Sequence, residues 1–350
     1  MFSPWPPVWL TGPARQWAVT GSILVSMGYR KYHDAHPGTP KPALAFSRSE
    51  RSKFMFNGSI VALVTPFTDQ DRVDRATLDA LVDYHLEQGS DGLVVAGTTG
   101  ESPALGKEEF EDLLTAVLGR VDGRIPVLAG TGGASTSAAI GQTRLAGALG
   151  ADGVLVVTPY YVRPTQAGLR AHYTAVADAS PVPVVLYNVP SRTAVDLLPA
   201  TVEALAGHPR IAGIKEAAGG QGRIEELRAR CGPEFTVLSG DDRSCLDAMK
   251  SGADGVVSVA ANVAPSLMHQ LCVEAAEQDW AAAEALEERL QPLFDALSIE
   301  TNPIPVKWAL FEMSRAGSGI RLPLTPLDPA HRPALRQCLE ALGLALRDEQ

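Results

Sequence analysis

Eight short apolar runs, each followed by a stretch of helical period, decide what this chain can become. The runs lie at 58–66, 90–97, 125–130, 153–158, 182–187, 211–214, 235–239 and 255–259. Between them, apolar residues recur at three- and four-residue spacing over 77–88, 107–118, 135–149, 166–179, 199–206, 223–230 and 244–250, and again from Pro265. In the first of these segments Leu78, Leu81, Val82, His85 and Leu86 share one face. The runs are apolar on both faces, and the connections are too long for hairpins, so the strands are parallel and covered by helices. Eight units of about 25–35 residues predict an α/β fold, a closed (β/α)8 TIM barrel. An open doubly wound sheet is the competing arrangement, but it wants a GxGxxG turn after the first strand, and none is present. Further helical segments at 281–297, 303–314 and 329–346 predict a C-terminal helical appendage. The expected organisation is an extension over 1–54, a barrel over 55–264 and C-terminal helices over 265–350.

The extension differs from the rest. It is rich in Pro, Trp, Ser and Arg, and its only acids are Asp34 and Glu50. Its apolar stretch at 20–27 is far too short to cross a bilayer. A secretory signal would need a basic start and a longer apolar core. A disordered extension or an over-long start is expected, with a transit-like peptide as the alternative. The folded pattern begins directly after Met55.

Charge and composition exclude several functions. A net charge of −10 with no basic cluster argues against a nucleic-acid surface, and no stretch reads as a membrane span. Cys231, Cys245, Cys272 and Cys338 are scattered without metal or redox spacing, which suits buried thiols in the cytoplasm. The seven histidines form no HxH or HExxH pattern, so no metal site is expected.

Barrels of this kind carry their chemistry at the C-terminal ends of the strands. Those ends hold Gly97-Thr98-Thr99-Gly100-Glu101-Ser102, Thr158-Pro159-Tyr160-Tyr161, Tyr187-Asn188-Val189-Pro190-Ser191-Arg192, Lys215-Glu216 and Gly240-Asp241-Asp242. Taken singly, each has an ordinary reading. Lys215 could be a strand-end lysine snorkelling to solvent, the Thr98–Thr99 segment a turn, Tyr160 and Tyr161 core or interface aromatics, and Arg192 a surface ion pair. Lys215 is nevertheless the only one of seven lysines to end an apolar run directly. Its company of hydroxyl donors and one guanidinium suits imine chemistry on a keto acid. Burial of an amine favours its neutral, nucleophilic form. Tyrosine and threonine hydroxyls relay protons without carrying charge, and a guanidinium holds a carboxylate through two parallel bonds.

These segments, with Gly58–Phe67, Gly213-Ile214-Lys215-Glu216-Ala217, Leu238–Asp242 and Asn302-Pro303-Ile304-Pro305-Val306-Lys307, resemble in order the dihydrodipicolinate synthase family. That family belongs to the class I pyruvate-dependent aldolases of the N-acetylneuraminate lyase superfamily. The resemblance runs from about residue 55 to 346. It implies a homotetramer, a dimer of dimers, that condenses pyruvate with L-aspartate-4-semialdehyde and needs no cofactor beyond a covalent lysine imine. By that likeness Lys215 forms the imine and Tyr187 moves protons beside it. Thr98 links Tyr187 to Tyr161, which reaches a neighbouring subunit's site. Thr99 and Val257 bind pyruvate, and Arg192 binds the carboxylate of the aldehyde substrate. N-acetylneuraminate and keto-sugar-acid lyases share the lysine and the tyrosine; Gly-Thr-Thr-Gly and the Pro-Ser-Arg turn favour the semialdehyde. A non-catalytic barrel would be expected to have lost Lys215 or Tyr187.

One departure from the family pattern concerns regulation. Lysine-inhibited members resemble one another in an effector pocket built from two histidines, an asparagine and a glutamate. The corresponding positions here are Lys107, Phe110, Ala134 and Ala138. Weak or absent inhibition by lysine is expected.

Overall fold

The computed structural model describes residues 56–220 and 222–347, so the extension proposed over 1–54 lies outside the described residues. Eight parallel strands close into a barrel: β1 (Gly58–Ala62), β2 (Gly92–Val95), β3 (Val127–Gly130), β4 (Gly153–Val157), β5 (Val184–Asn188), β6 (Ile211–Glu216), β7 (Thr236–Ser239) and β8 (Gly255–Ser258). The last strand returns to the first, with Gly58 beside Gly255 and Ile60 beside Val257. Two glycines make this seam close. A β-carbon on Gly255 would stand 2.2 Å from the Gly58 carbonyl oxygen, and Gly255 holds φ at 149°.

The helices are α1 (Arg75–Glu87), α2 (Lys107–Val121), α3 (Thr136–Leu149), α4 (Gln166–Ala179), α5 (Pro190–Thr193), α6 (Pro199–Ala206), α7 (Arg223–Cys231), α8 (Cys245–Lys250), α9 (Pro265–Ala276), α10 (Trp280–Ala296), α11 (Ile304–Glu312) and α12 (Arg332–Ala341). α1 starts two residues before the periodic pattern suggested. Asp74 caps it, accepting from the Thr77 amide at 3.1 Å and from the Thr77 hydroxyl at 2.8 Å. α9 packs against β1, in the place of the eighth outer helix, and α10 packs on α9. α12 in turn covers α10 and α11.

Alternation along the strands produces two separate cores. Phe56, Ile60, Val94, Leu128, Leu155, Val185, Tyr187, Leu238 and Val257 fill the barrel interior. Leu93, Val95, Val127, Val154, Val156, Val184, Leu186 and Ile214 point outward to the helices. β1 is shorter than the apolar run at 58–66. Its pairing ends near Leu63, whose amide still donates to Val94, and the chain then turns onto the rim. There the Thr65 hydroxyl donates to the Gly100 carbonyl at 2.7 Å. Among the described residues no helix is long and apolar enough to cross a membrane, and no group of His, Cys, Asp and Glu could hold a metal ion.

Candidate active site

Lys215 does not follow β6; it lies within it, one residue before the strand ends at Glu216. Tyr187 is its register neighbour on β5. Both point into the barrel mouth, and Lys215 Nζ lies 4.2 Å from the centroid of the Tyr187 ring. Lys215 is only 6% exposed. Among the described residues no carboxylate pairs with its amine. Val257, from β8, belongs to the same interior cluster as Tyr187 and Leu238. The stem of Lys215 runs past Gly240, at the end of β7.

The Thr98–Thr99 segment forms a turn after β2, closed by the Glu101 amide donating to the Thr98 carbonyl at 3.0 Å. Thr99 is buried, and its hydroxyl accepts a 2.9 Å bond from the Asn302 side-chain amide. Arg192 is exposed on α5, the single turn that follows β5. One guanidinium nitrogen donates to the Asn302 carbonyl at 3.2 Å. Asn302 therefore touches both Thr99 and Arg192, and its own Oδ1 is buried without a partner. Arg192 has five N–H donors; no carboxylate pairs with them among the described residues.

Tyr161 stands apart. It is 90% exposed, with φ at 71°, inside an exposed stretch that includes Tyr160 and Val162. Among the described residues no hydrogen bond joins Thr98 to Tyr187 or to Tyr161. A β-region residue would bear no strain; a tyrosine held at positive φ does, and nothing within the described chain covers its ring.

Two buried polar sets support this rim. Glu101, also at positive φ, forms an ion pair with Lys307 of α11 and accepts from the Arg321 amide at 2.9 Å. Lys307 also donates to the Thr65 carbonyl at 3.0 Å and lies 4.4 Å above the Phe67 ring. Burial holds the Lys307 ammonium below the usual lysine range, against the pull of Glu101. The second set, Asn188, Glu216, Asp196 and Arg223, lies behind β5 and β6. Burial raises the Glu216 carboxyl, and Arg223 opposes that rise.

Glu101 and Lys307 stood within the motifs that carried the family resemblance, but the sequence offered no reason to pair them. Asn302 also lay in such a motif, without a stated role. The four positions set against the lysine-effector pocket fall in two places. Lys107 is exposed at the start of α2, while Phe110 is 2% exposed and packed in the outer core. Ala134 and Ala138 are exposed near the start of α3.

A model of the dihydrodipicolinate synthetase family matches residues 55–342. The chain is 50% identical over 294 residues to the 4-hydroxy-tetrahydrodipicolinate synthase of Halorhodospira halophila, a match covering 83% of this chain and 98% of that protein. It is 51% identical over 290 residues to the enzyme of the same name from Methylococcus capsulatus, covering 83% and 100%. The crystal structure of a chloride-inhibited dihydrodipicolinate synthase from Acinetobacter baumannii, complexed with pyruvate, superposes with a TM-score of 0.81 at 46% identity, covering 82% of this chain and 99% of that one.

Proposed function

The chain belongs to the dihydrodipicolinate synthetase family, and on that premise we propose that Lys215, Tyr187, Thr98 and Tyr161 are its catalytic residues. The reaction is the condensation of pyruvate with L-aspartate-4-semialdehyde to 4-hydroxy-tetrahydrodipicolinate, a lyase-class step of lysine and diaminopimelate biosynthesis. It proceeds through a lysine imine with no added cofactor.

The family resemblance suggests the role of each residue, and elementary chemistry says what each can supply. The neutral Lys215 amine attacks the ketone carbon of pyruvate, the carbonyl oxygen takes up protons and leaves as water, and an iminium remains. The iminium acidifies the adjacent methyl group, which loses a proton to become an enamine. The enamine carbon attacks the aldehyde, whose oxygen takes a proton. Tyr187, beside the amine, is placed to carry these protons. Thr99 and Val257 bind pyruvate, one through its buried hydroxyl and the other as apolar floor. Arg192 is open to solvent with donors to spare and takes the carboxylate of the incoming semialdehyde. Thr98 and Tyr161 complete the proton path when a second chain supplies Tyr161, in a homotetramer made of two dimers. The exposure and positive φ of Tyr161 support that assembly. Four unpaired thiols support a cytoplasmic setting.

The observation that carries the assignment is the buried, unpaired Lys215 amine set 4.2 Å over the Tyr187 ring. Borohydride reduction in the presence of pyruvate, followed by peptide mass mapping, tests it. A pyruvyl adduct on Lys215 is expected; an adduct on another lysine, or none, overturns it. Turnover with L-aspartate-4-semialdehyde against N-acetylmannosamine and glyceraldehyde then checks the aldehyde.

A further inference from the structure

The outer face of β5 and β6 carries a polar group that the reaction does not touch. Asn188 and Glu216 are register partners, one step beyond Tyr187 and Lys215. Asn188 Nδ2 donates to Glu216 Oε1 at 3.0 Å and Oε2 at 3.2 Å, and to Asp196 Oδ1 at 2.7 Å. Its Oδ1 accepts from the Leu197 amide at 2.9 Å. Arg223 joins both acids, donating to Glu216 at 3.0 Å and to Asp196 at 2.5 Å, and it also donates to the Leu197 carbonyl at 3.0 Å. Glu216 further accepts from the Ala218 amide at 2.7 Å. The Glu216 side chain is 1% exposed and that of Arg223 is 14% exposed.

A buried ion pair is weak evidence for stability, because apolar residues of similar size commonly do as well; its best-attested use is to select one register. A register choice exists here. Val184 faces Ile211, but Val185 faces Gly213, so Ala212 is an extra residue on β6. One extra residue exchanges the two faces of everything beyond it. Ile211 and Ile214 both pack in the outer core, which two residues three apart on a regular strand would not do. Slipped back by one, β6 would aim Lys215 at the helices and Glu216 into the mouth.

We propose that Asn188 is a positioning residue: its clamp on Glu216, Asp196 and Arg223 locks β6 in the register that sets Lys215 beside Tyr187, and the same clamp ties down the far end of the Arg192 turn. The inference rests on the Lys215–Tyr187 assignment above. Asn188 alone of the set supplies both what the acids need and what the Leu197 amide needs, since a carboxamide donates at one end and accepts at the other.

The test is Asn188→Asp, nearly the same shape, with a third carboxylate facing Glu216 and Asp196. The full chain is assayed for the rate of borohydride-trapped pyruvyl adduct at saturating pyruvate, with the thermal midpoint and oligomeric state measured alongside. A loss of about 10²-fold in trapping rate is expected, the scale set by misplacing a reacting group by about 1 Å. Adding Glu216→Gln in the same chain restores a donor between the two side chains, and should recover at least about tenfold. Where Asn188→Asp does not fold, Glu216→Gln alone is read: its trapping rate should fall while the apparent affinity for pyruvate is unchanged. Wild-type trapping by a folded Asn188→Asp, by Glu216→Gln, or a double variant no faster than the single one, overturns the proposal. Mass mapping of the wild-type adduct separates the premise, because an adduct away from Lys215 defeats the site assignment and not the clamp.

Discussion

Gly240 leaves open the space that the stem of Lys215 occupies: a β-carbon there would stand 3.0 Å from Lys215 Cε and 2.7 Å from the Ala217 β-carbon. The Ala217 contact is rigid, so a substitution displaces β7 or pushes the lysine stem aside. Gly240→Ala should cost about 1–3 kcal/mol of stability and slow imine trapping by about 10–10²-fold. Single-turnover borohydride trapping and a thermal melt check both. A wild-type trapping rate in the folded variant would show that the lysine is not confined there.

Asn302 touches Thr99 with its side chain and Arg192 with its backbone, so substitution separates the two substrates. Asn302→Ala removes only the bond to Thr99, and should raise the pyruvate KM about tenfold, the scale of one hydrogen bond at a buried site. Arg192→Ala should instead raise the semialdehyde KM and leave imine formation nearly unchanged. Steady-state kinetics with each substrate varied in turn will distinguish them. Equal losses in both steps for Arg192→Ala would mean that the arginine only holds its turn.

The exposed Tyr161 predicts sites shared between chains. Lys215→Ala and Tyr161→Phe homomers should each be nearly inactive. Mixing them under conditions of subunit exchange should restore activity, because a mixed dimer contains one site with both Lys215 and Tyr161 intact. Activity that stays flat on mixing, with exchange confirmed by mass spectrometry, would place Tyr161 outside the reaction.

Lysine should inhibit this enzyme weakly or not at all. Phe110 is buried in the outer core and offers no polar group, and Lys107 adds a like charge to any lysine ammonium nearby. Initial rates in the presence of sub-millimolar lysine should stay above half of those without it; half-inhibition in that range would contradict the reading.

Acid sensitivity should trace in part to His85. Its ring is fully buried, Nδ1 meets the Ser90 hydroxyl at 3.2 Å, and Nε2 has no partner. Burial lowers its pKa from 6.5 to about 3. The unfolded chain takes up this proton near pH 6.5, whereas the folded chain refuses it until about pH 3. Stability from this group is therefore complete above pH 6.5 and falls as pH drops through that window, by about 3 kcal/mol at pH 4.5. His85→Gln, which does not titrate, should shrink the fall in melting midpoint between pH 7 and 4.5 by roughly 5 °C. An unchanged pH profile would show that other groups govern acid unfolding.

The barrel was legible because its signal is local. Apolar runs and helical periods repeat eight times, and each strand end could be placed on one rim without knowing any contact. Lys215 could be located that way, and Arg192 and the threonines with it. The lock behind them was not. Glu216 reads as the polar residue after a lysine, and only the extra residue at Ala212, visible in the pairing, reveals that it faces outward against Asn188. Asn302 and Lys307 meet Thr99 and Glu101 across 203 and 206 positions of sequence, a distance over which one sequence carries no pairing information. The short helix α5 was missed for a simpler reason. Four residues opened by a proline have no period to detect.

The link between Glu101 and Lys307 also orders events in time. The Thr98–Thr99 turn is made early in synthesis, yet its partners Asn302, Lys307 and Arg321 come after the last strand of the barrel. A nascent chain that already carries all eight strands therefore still lacks a finished rim, and the Glu101 carboxylate stays in water until the final helices arrive to take it in.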